Sequence, residues 1–295
     1  MGEAIKYLGQ LRRDEPMSLH TSWRVGGCAD FYFTPADLAD LQHYLSDLDP
    51  DSAITWVGLG SNMLVRDGGI RGHVIAPLNG LKQIRQGDDG VIYAQSGVTC
   101  AKLAKYCQKL GLGGADFLAG IPGTVGGALA MNAGAFGSET WTFVEQVSLI
   151  NRSGDLIERQ AAEFTIGYRS VSQFEEEWFV AGHFRFSRKN SAQDAGIKQL
   201  LQQRNASQPI GQPSCGSVFK NPPAKHAAQL IEAAGLKGFC LGAACVSDKH
   251  ANFIISGPET RATEIEALIR LIQQRVKAQF DVSLETEVRI LGVES

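Results

Sequence analysis

The feature that most constrains this chain is a glycine-rich segment, residues 120–137, which contains six glycines and yet is apolar. A flexible linker would contain serine and charged residues, whereas here Ile, Val, Leu, Met and Phe stand between the glycines. Glycine in apolar surroundings indicates special backbone dihedrals or the close approach of another group. Exposed N–H groups in such a turn can hold an anion such as a diphosphate. We therefore predict that the glycine-rich segment binds a ligand; the alternative is a tightly packed core turn.

The composition is that of a globular protein, with 295 residues, 44% hydrophobic and 20% charged. That length allows two or three domains with substantial cores. A formal net charge of -3 argues against a general nucleic-acid binder. No apolar run reaches the roughly 20 residues that span a bilayer, and the first residues lack the pattern of a secretory signal. We expect a cytoplasmic protein that binds neither nucleic acid nor membranes.

The cysteines do not follow any metal-ligand spacing, so we predict no metal site. Their apolar neighbours favour reduced, mostly buried thiols, with a redox pair as the alternative. They are Cys28, Cys100, Cys107, Cys215, Cys240 and Cys245.

A second glycine motif follows a β-rich run that begins at residue 54. Gly58 and Gly60 precede Ser61 and Asn62, and glycines with hydroxyl and amide residues after a strand suit phosphate binding. The motif is not the dinucleotide fingerprint, because Met63 occupies the position of the third glycine. An ordinary hairpin turn is the alternative interpretation.

Helices are predicted from caps and apolar spacing. Thr34 with Pro35 predicts a helix start, and Thr99 predicts the cap of a helix that runs to about residue 110. A third helix is expected over residues 224–234. A capping box of Thr263 and Glu266 predicts the start of a strongly amphipathic helix. Its apolar face comprises Ile265, Leu268, Ile269, Ile272 and Val276.

Strands are predicted where apolar and polar residues alternate. Residues 147–151 and 156–159 indicate a hairpin, and residues 178–186 a strand that contains His183 as a packed histidine. Residues 252–255 and 284–292 are expected to be strands as well. The polar composition of residues 187–200 predicts a domain boundary.

Six stretches in order resemble the UDP-N-acetylenolpyruvoylglucosamine reductases, a family of flavoenzymes of peptidoglycan precursor synthesis. They are residues 20–27, 58–65, 120–137, 215–222, 246–253 and 284–289. The form of the glycine-rich segment and the short connection between Arg169 and Trp178 resemble the shorter subtype of this family, which lacks an extra substrate-covering loop.

The resemblance implies an α+β fold: a two-lobed FAD-binding domain of the vanillyl-alcohol-oxidase (PCMH) type and a C-terminal α+β substrate-binding domain. We expect the FAD-binding domain over residues 1–190, with lobes at about 1–78 and 79–190. The substrate-binding domain is then residues 191–295, and its last strand returns to the active site. The family reduces UDP-N-acetylglucosamine enolpyruvate to UDP-N-acetylmuramate with NADPH. A monomer with noncovalent FAD is expected.

Three catalytic residues follow from the resemblance. Ser217 matches the proton donor to the enolate carbon, and Arg169 matches the arginine that pairs with the substrate carboxylate. Glu287 matches the catalytic glutamate, which we expect to be protonated. Glu285 has the same parity in the strand, so the pattern does not choose between the two glutamates; the motif selects Glu287.

Binding residues are also transferred by motif. Substrate contacts are expected from Tyr168, Arg204, Lys220, Asn221, His250 and Arg289, where a structural role for His250 is the alternative. Cofactor contacts are expected from Gly58, Gly60, Ser61, Asn62, Met63, Gly120, Ile121, Pro122, Gly123, Thr124, Gly126, Gly127, Asn132 and Gly134.

Two other functions are consistent with parts of the sequence. An FAD oxidase of the same fold, acting on an alcohol or a sugar lactone, would share the glycine motifs but leave Ser217, Arg169 and Glu287 without a joint purpose. A nonenzymatic nucleotide-binding module would be colourless when purified.

Overall fold

The structure is a computed structural model that describes residues 7–172, 174–188 and 196–295. Its α-helices are α1 (Leu38–Ser46), α2 (Cys100–Lys109), α3 (Val125–Met131), α4 (Ile197–Ser207), α5 (Ala227–Ala233) and α6 (Ala262–Phe280). Short 3-10 helices lie at Met17–Leu19, Pro77–Asn79, Asp116–Gly120, Thr140–Phe143 and Ala161–Glu163. None of the helices in the described ranges has the length and apolar character needed to cross a membrane.

Most strands are short. They are β1 (Gln10–Pro16), β2 (Cys28–Thr34), β3 (Ile54–Trp56), β4 (Met63–Val65), β5 (Ile70–Ile75), β6 (Ile84–Gln86), β7 (Ile92–Gln95), β8 (Leu112–Gly113), β9 (Gly134–Ala135), β10 (Ser138–Glu139), β11 (Val144–Asn151), β12 (Leu156–Gln160), β13 (Ile166–Gly167), β14 (Ser170–Val171), β15 (Glu177–Phe184), β16 (Ser187–Arg188), β17 (Cys240–Leu241), β18 (Ala244–Val246), β19 (Ile254–Ser256) and β20 (Arg289–Leu291). A four-stranded sheet has the order β1-β2-β5-β3.

The chain forms two compact units, of which the first comprises residues 1–12, 32–58 and 73–203. Its main sheet is antiparallel, with the order β12-β11-β15-β7-β6. Helices α2 and α3 bury Leu103 and Leu129 in the same apolar cluster as Ile92 and Phe184 of this sheet. The packed cluster fixes the start of α3, and with it the glycine-rich segment.

The second unit comprises residues 13–31, 59–72 and 204–295. It contains the antiparallel sheet β17-β18-β19 and the parallel pair β20-β4. The apolar face predicted for the amphipathic helix is confirmed in α6, where Ile265, Leu268, Ile269, Ile272 and Val276 are all buried. This core positions the segments that contain Ser217 and Glu287.

Helix starts test the sequence predictions most sharply. The predicted cap of α2 is confirmed, because the Thr99 hydroxyl accepts a hydrogen bond from Lys102 N at 3.3 Å. The predicted start at Thr34 and Pro35 is wrong: Thr34 ends β2, and Asp37 caps α1 by accepting from Asp40 N at 2.9 Å. A proline with a threonine before it was a weaker signal than the aspartate two residues later.

The predicted capping box of α6 is also wrong. Its first N–H groups, of Ala262 and Thr263, donate to the Asp67 carboxylate at 2.9 and 3.0 Å. Glu266 instead accepts from Arg66 at 2.9 and 3.0 Å and pairs with Arg270. A residue almost 200 positions away supplies this part of the cap, which no local pattern could have revealed. The local part comes from Glu264, which accepts from Arg261 N at 2.8 Å, two residues before the predicted box.

Two further boundaries differ from the predictions. Helix α5 begins at Ala227 rather than at residue 224, because Ala224 has a left-handed φ of 58°, which a right-handed helix excludes. The final strand is only β20, and Thr286 forms an isolated bridge with Phe219. The strand predicted at 252–255 starts at Ile254.

The prediction that all cysteines are reduced is wrong, because Cys240 and Cys245 form a disulfide. They are directly opposed across β17 and β18, and this short hairpin brings their Cα atoms to 4.1 Å. Cys100, Cys107 and Cys215 are buried free thiols, as expected, whereas Cys28 is exposed. The boundary predicted between residues 190 and 191 lies outside the described residues, and the lobe borders stay a prediction.

Candidate active site

The glycine-rich segment folds into a 3-10 turn, helix α3 and the β9–β10 hairpin. The N–H groups of Gly123, Val125 and Gly126 donate to backbone carbonyls. The Gly127 N–H donates to the Thr124 hydroxyl at 3.3 Å. The expectation that this turn leaves its N–H groups open is therefore wrong for these four. Glycine lowers helix propensity, which is why the sequence did not predict α3.

Two adjacent glycines of α3 have different reasons to be glycine. A Cβ added at Gly126 would lie 2.8 Å from the Ser96 Cβ, so packing within the protein requires glycine there. Gly127 is exposed, and a Cβ there would meet only Thr124 Oγ1, at 3.7 Å. No contact within the described protein explains why residue 127 lacks a side chain.

Thr124 joins the two predicted cofactor-binding motifs of the first unit. A Cβ on Gly58 would lie 2.6 Å from Thr124 Oγ1, so Gly58 packs directly on the start of α3. Nearby, the buried Ser96 hydroxyl lacks a hydrogen-bond partner within the described residues. Gly127 thus presents an exposed surface without a side chain beside Thr124, and this surface fits a bound dinucleotide cofactor. The other predicted contacts in this unit surround α3: Gly120, Ile121, Pro122, Gly123 and Gly134.

Gly60 is glycine for reasons of backbone geometry. Its φ is 61°, and a Cβ would collide with the His20 carbonyl oxygen. Its own carbonyl accepts from Ser22 N at 3.0 Å. Ser61 follows, half-buried, at the turn into β4, whose first residue Met63 is buried. The motif is a tight turn between β3 and β4, but it is not the hairpin of the alternative interpretation, because β3 pairs with β5 and β4 pairs with β20.

Arg169 lies in the turn between β13 and β14, with a left-handed φ of 52°. Its guanidinium donates to the carbonyl oxygens of Gly134, at 3.0 Å, and Asn132, at 3.4 Å. Asn132 is buried and donates to Gly167 O at 3.1 Å and to Glu139 at 2.8 Å. The predicted cofactor-binding amide of Asn132 is therefore engaged in holding the Arg169 turn.

Tyr168 is about half exposed, and its ring lies 5.1 Å from the Arg169 guanidinium carbon. The structure thus brings a predicted substrate residue beside a predicted catalytic residue in one short hairpin. The side chain of Arg169 itself is only 16% exposed, so its fork is held at a fixed place in the surface.

Ser217 lies between two anchored residues. The buried Cys215 thiol donates to Met63 O at 3.3 Å, and burial raises its pKa to about 12. Val218, on the other side, is buried and accepts from Glu287 N at 2.8 Å. Two predicted catalytic residues from distant parts of the sequence therefore lie on directly hydrogen-bonded segments.

Asn62, at the end of the glycine turn, bonds the segment that contains Glu287 and Arg289. Its amide donates to Glu287 O at 3.1 Å, and its carbonyl accepts from Arg289 N at 3.1 Å. Arg289 is exposed and begins β20, which pairs in parallel with β4. The predicted residues Asn62, Glu287 and Arg289 are brought together, and the Asn62 side chain is used to hold the backbone of Glu287.

Glu285 and Glu287 differ in exposure. The exposed Glu285 forms an ion pair with Lys220, with Nζ and Oε1 at 2.5 Å, whereas Glu287 is half-buried. The period-two pattern of the sequence could not distinguish these two glutamates, whereas their exposure in the structure does. Asn221, the next predicted substrate residue, accepts from Ala227 N at 3.0 Å and so caps α5.

Arg204 and His250 are both partly buried, and burial lowers the pKa of each. Arg204 donates to Gln208 at 2.9 Å near the end of α4. His250 packs edge-on against Phe253 at 4.8 Å and accepts from Asn252 N at 3.3 Å. These contacts hold the His250 ring within its own loop, and its substrate contact stays a prediction. No group of three or more potential metal ligands is found in residues 7–172, 174–188 and 196–295.

Asn252 is a residue that the sequence analysis missed. It is a buried amide in an otherwise apolar run, and buried polar groups require partners. That run of Ala, Asn, Phe and Ile was the available signal.

Comparison with known proteins supplies the context for these residues. Two family models match: "FAD binding domain" over residues 29–159, and "UDP-N-acetylenolpyruvoylglucosamine reductase, C-terminal domain" over residues 208–291. The UDP-N-acetylenolpyruvoylglucosamine reductase of Alkalilimnicola ehrlichii is 52% identical over 286 residues, covering 96% of this chain and 95% of the relative. That of Coxiella burnetii is 49% identical over 304 residues, covering 96% of each.

A solved structure agrees with the sequence relatives. The UDP-N-acetylenolpyruvylglucosamine reductase from Thermus caldophilus superposes with a TM-score of 0.82 at 27% identity, covering 96% of this chain and 99% of that one. The predicted α+β fold, an FAD-binding domain of the PCMH type followed by the reductase C-terminal domain, is confirmed. This chain belongs to the UDP-N-acetylenolpyruvoylglucosamine reductase family.

Proposed function

We propose that this chain catalyses the FAD-dependent reduction of UDP-N-acetylglucosamine enolpyruvate to UDP-N-acetylmuramate, with NADPH as the reductant. The observation that carries the proposal is the 2.8 Å hydrogen bond from Glu287 N to Val218 O, which brings the Ser217 and Glu287 segments together in a member of the reductase family. When bound, FAD supplies the hydride transfer, from NADPH and then to the enolpyruvyl CH2 carbon.

Ser217 donates the proton in this proposal. Hydride addition at the CH2 carbon moves electrons towards the carboxylate and creates an enolate, whose other carbon must then be protonated. A serine hydroxyl is a weak acid, so its contribution depends on placement rather than on intrinsic acidity. The anchoring of Cys215 and Val218 on either side of Ser217 supports such placement.

Arg169 binds the substrate carboxylate, and its interaction strengthens as the enolate gains charge. A planar guanidinium suits a carboxylate because two parallel N–H groups meet two oxygens. The carbonyl oxygens of Asn132 and Gly134 orient the fork before substrate arrives, which removes a reorganisation cost from the reaction. Tyr168, on the same turn, is proposed to contact the substrate.

Glu287 acts beside the developing charge, where a protonated carboxyl can donate a hydrogen bond. Lys220, Asn221 and Arg289 are proposed to contact the UDP moiety, with Arg204 and His250. Lys220 is paired with Glu285 in this structure, so a diphosphate would compete with that carboxylate. Phosphate oxygens and a carboxylate are alternative acceptors for the same ammonium group.

The remaining assignments are part of the same proposal. FAD contacts are assigned to the residues named in the sequence analysis from Gly58 to Met63 and from Gly120 to Gly134. The FAD-binding domain is proposed to be residues 1–190 and the substrate domain residues 191–295; the two family-model matches lie within these ranges. We propose a monomer in the cytoplasm, with no nucleic-acid partner.

The test is an anaerobic absorbance spectrum of the purified holoprotein. A yellow protein should bleach with NADPH and recover its colour only when the enolpyruvyl substrate is added. Replacing Ser217 by alanine should leave bleaching unchanged and slow the recovery by about 10²–10⁴-fold, the usual contribution of a general acid. Ser214→Ala, three residues earlier, is the matched control and should behave as wild type.

Three results would contradict the proposal. Recovery of colour with Ser217→Ala at the wild-type rate would remove the serine from the mechanism. Bleaching by an alcohol or a sugar lactone, without recovery on the enolpyruvyl substrate, would favour the oxidase. A colourless protein that binds no flavin would refute the role of the glycine-rich segment.

A further inference from the structure

Asn252 is a buried polar residue, 4% exposed, in the loop that joins β18 to β19. The loop is closed by its own hydrogen bonds, from Ser247 N to Phe253 O at 2.8 Å and from Phe253 N to His250 O at 3.0 Å. The Ser247 hydroxyl accepts from His250 N at 3.4 Å. The position of Asn252 is therefore fixed within its own loop, independently of the segment it contacts.

The Asn252 side chain bonds both backbone groups of Phe219. Its Oδ1 accepts from Phe219 N at 3.0 Å, and its Nδ2 donates to Phe219 O at 2.8 Å. The Asn252 backbone carbonyl accepts from Val218 N at 2.9 Å. One residue thus satisfies three of the four backbone polar groups of Val218 and Phe219, directly after Ser217, as the edge of a neighbouring strand would.

The opposite edge of the same segment is held by the chain near Glu287. Val218 O accepts from Glu287 N at 2.8 Å, and Lys220 N donates to Glu285 O at 2.9 Å. The segment of residues 218–220 is consequently clamped between Asn252 and the Glu285–Glu287 stretch. Loss of either edge would let the segment shift.

On its other side, Ser217 follows a glycine. Gly216 has a left-handed φ of 72°, and a Cβ there would meet nothing within 4 Å. The Cys215 thiol anchors the chain before Gly216, and the clamp at Val218 and Phe219 holds the chain directly after Ser217. The direction of the Ser217 hydroxyl therefore depends on this clamp as well as on the Cys215 anchor.

We propose that Asn252 is a positioning residue. It fixes the Ser217 hydroxyl for proton delivery and keeps the segment that follows Ser217 in register with the Glu287 segment. The inference rests on the proposed function, since it assigns Asn252 a part in the proton-transfer half of that reaction. Asn252 acts through the Phe219 backbone and touches neither substrate nor cofactor.

Two variants test this inference in the flavin-bound protein. Asn252→Ala removes both side-chain hydrogen bonds to Phe219. Asn252→Asp has nearly the same shape and keeps the acceptor for Phe219 N, but it replaces the donor to Phe219 O. Thr260→Val is the matched control: it removes a hydroxyl that donates to Ala243 O at 3.1 Å and Gly257 O at 2.9 Å, elsewhere in the same unit.

The two half-reactions separate positioning from general damage. Bleaching by NADPH should stay within about twofold of wild type in all three variants. Recovery with the enolpyruvyl substrate should slow by about 100-fold in Asn252→Ala, since a misplacement of about 1 Å costs that much. The solvent deuterium isotope effect on recovery should rise, because proton transfer becomes more strongly rate-limiting.

Asn252→Asp should recover partly as the pH is lowered, because a protonated carboxyl can again donate to Phe219 O. Amide hydrogen exchange supplies a readout without substrate: the peptide that contains Phe219 should exchange at least tenfold faster in Asn252→Ala and at the wild-type rate in Thr260→Val. Asn252→Asp keeps the experiment decisive if Asn252→Ala does not fold.

The inference is overturned if folded Asn252 variants recover colour within about threefold of wild type, or if both half-reactions slow equally. A wild-type protein that bleaches but never recovers on the enolpyruvyl substrate would instead refute the proposed function, and this inference with it. The two failures are thus distinguished by the behaviour of the unmodified protein.

Discussion

The two adjacent glycines of α3 should respond in opposite ways to the same substitution. Gly126→Ala places a methyl group 2.8 Å from the Ser96 Cβ, closer than real Cβ contacts come, whereas Gly127→Ala places it at an ordinary 3.7 Å from Thr124 Oγ1. Both variants gain alanine in place of glycine within the same short helix, Val125–Met131. Any difference between them therefore isolates the steric contact with Ser96.

The magnitudes follow from these contacts. Replacing glycine by alanine inside a helix contributes roughly 0.5–1 kcal/mol of stability. Forcing an extra carbon into a packed site costs about 1–3 kcal/mol. In flavin-free protein, Gly127→Ala should thus raise the free energy of unfolding slightly, and Gly126→Ala should lie about 1–3 kcal/mol below it. That difference corresponds to about 2–4 °C in melting temperature per kcal/mol.

Gly127→Ala should weaken flavin binding, although it should stabilise the flavin-free protein. Its new methyl group occupies the side-chain-free surface proposed for FAD, so the Kd for FAD should rise by about 10- to 100-fold for a steric cost of about 1–3 kcal/mol. Urea unfolding of the flavin-free variants and fluorescence titration with FAD measure the two effects separately. Equal stabilities of the two flavin-free variants would refute the packing argument, and unchanged FAD affinity in Gly127→Ala would refute the binding surface.

Two further predictions follow from buried ionisable groups. Ellman's reagent should label one thiol, exposed Cys28, in the native protein at pH 8, because Cys100, Cys107 and Cys215 are buried and burial raises the pKa of each to about 12; denaturation should expose four thiols, and added reductant six. Glu266→Gln should lower the free energy of unfolding at pH 7 by about 2 kcal/mol, since the carboxylate loses charged hydrogen bonds to Arg66. Those bonds hold the Glu266 pKa below its ordinary value of 4.5, so its stabilising effect is present above that pH and should disappear as the pH falls further. Denaturant titrations of both proteins at pH 7 and pH 3 measure this convergence, and a constant difference would contradict it.

The elements that the sequence predicted well are those whose signals are local. The apolar spacing of α6 and the Thr99 cap of α2 each depend on residues within a few positions of one another, so periodicity and capping chemistry were sufficient. Strands β11 and β12 likewise pair as a hairpin, as the turn residues between them indicated. Family motifs added the order of the site segments, which no periodicity could supply.

Several of the predictions that failed depended on contacts that the sequence does not show. Asp67 caps α6 from another part of the chain, and Glu266 faces Arg66 instead of its own helix start. Helix α3 was missed because its glycines are disfavoured by intrinsic propensity, and the contact with Ser96 that requires one of them is invisible in the sequence. The Cys240–Cys245 disulfide required the register of a hairpin with very short strands. The catalytic and binding roles stay predictions, each with an assay above.

The second unit is built from three separate chain segments, and this has a consequence for folding during synthesis on the ribosome. Residues 13–31 and 59–72 emerge early, but residues 204–295, against which they pack, emerge only after residues 73–203. At about 5–20 residues per second, the early segments wait on the order of ten seconds for their partners. All segments of the first unit have by then left the ribosome, so it can fold first. Folding of the nascent chain therefore finishes with Ser217 and Glu287, and a chain released early has no competent site.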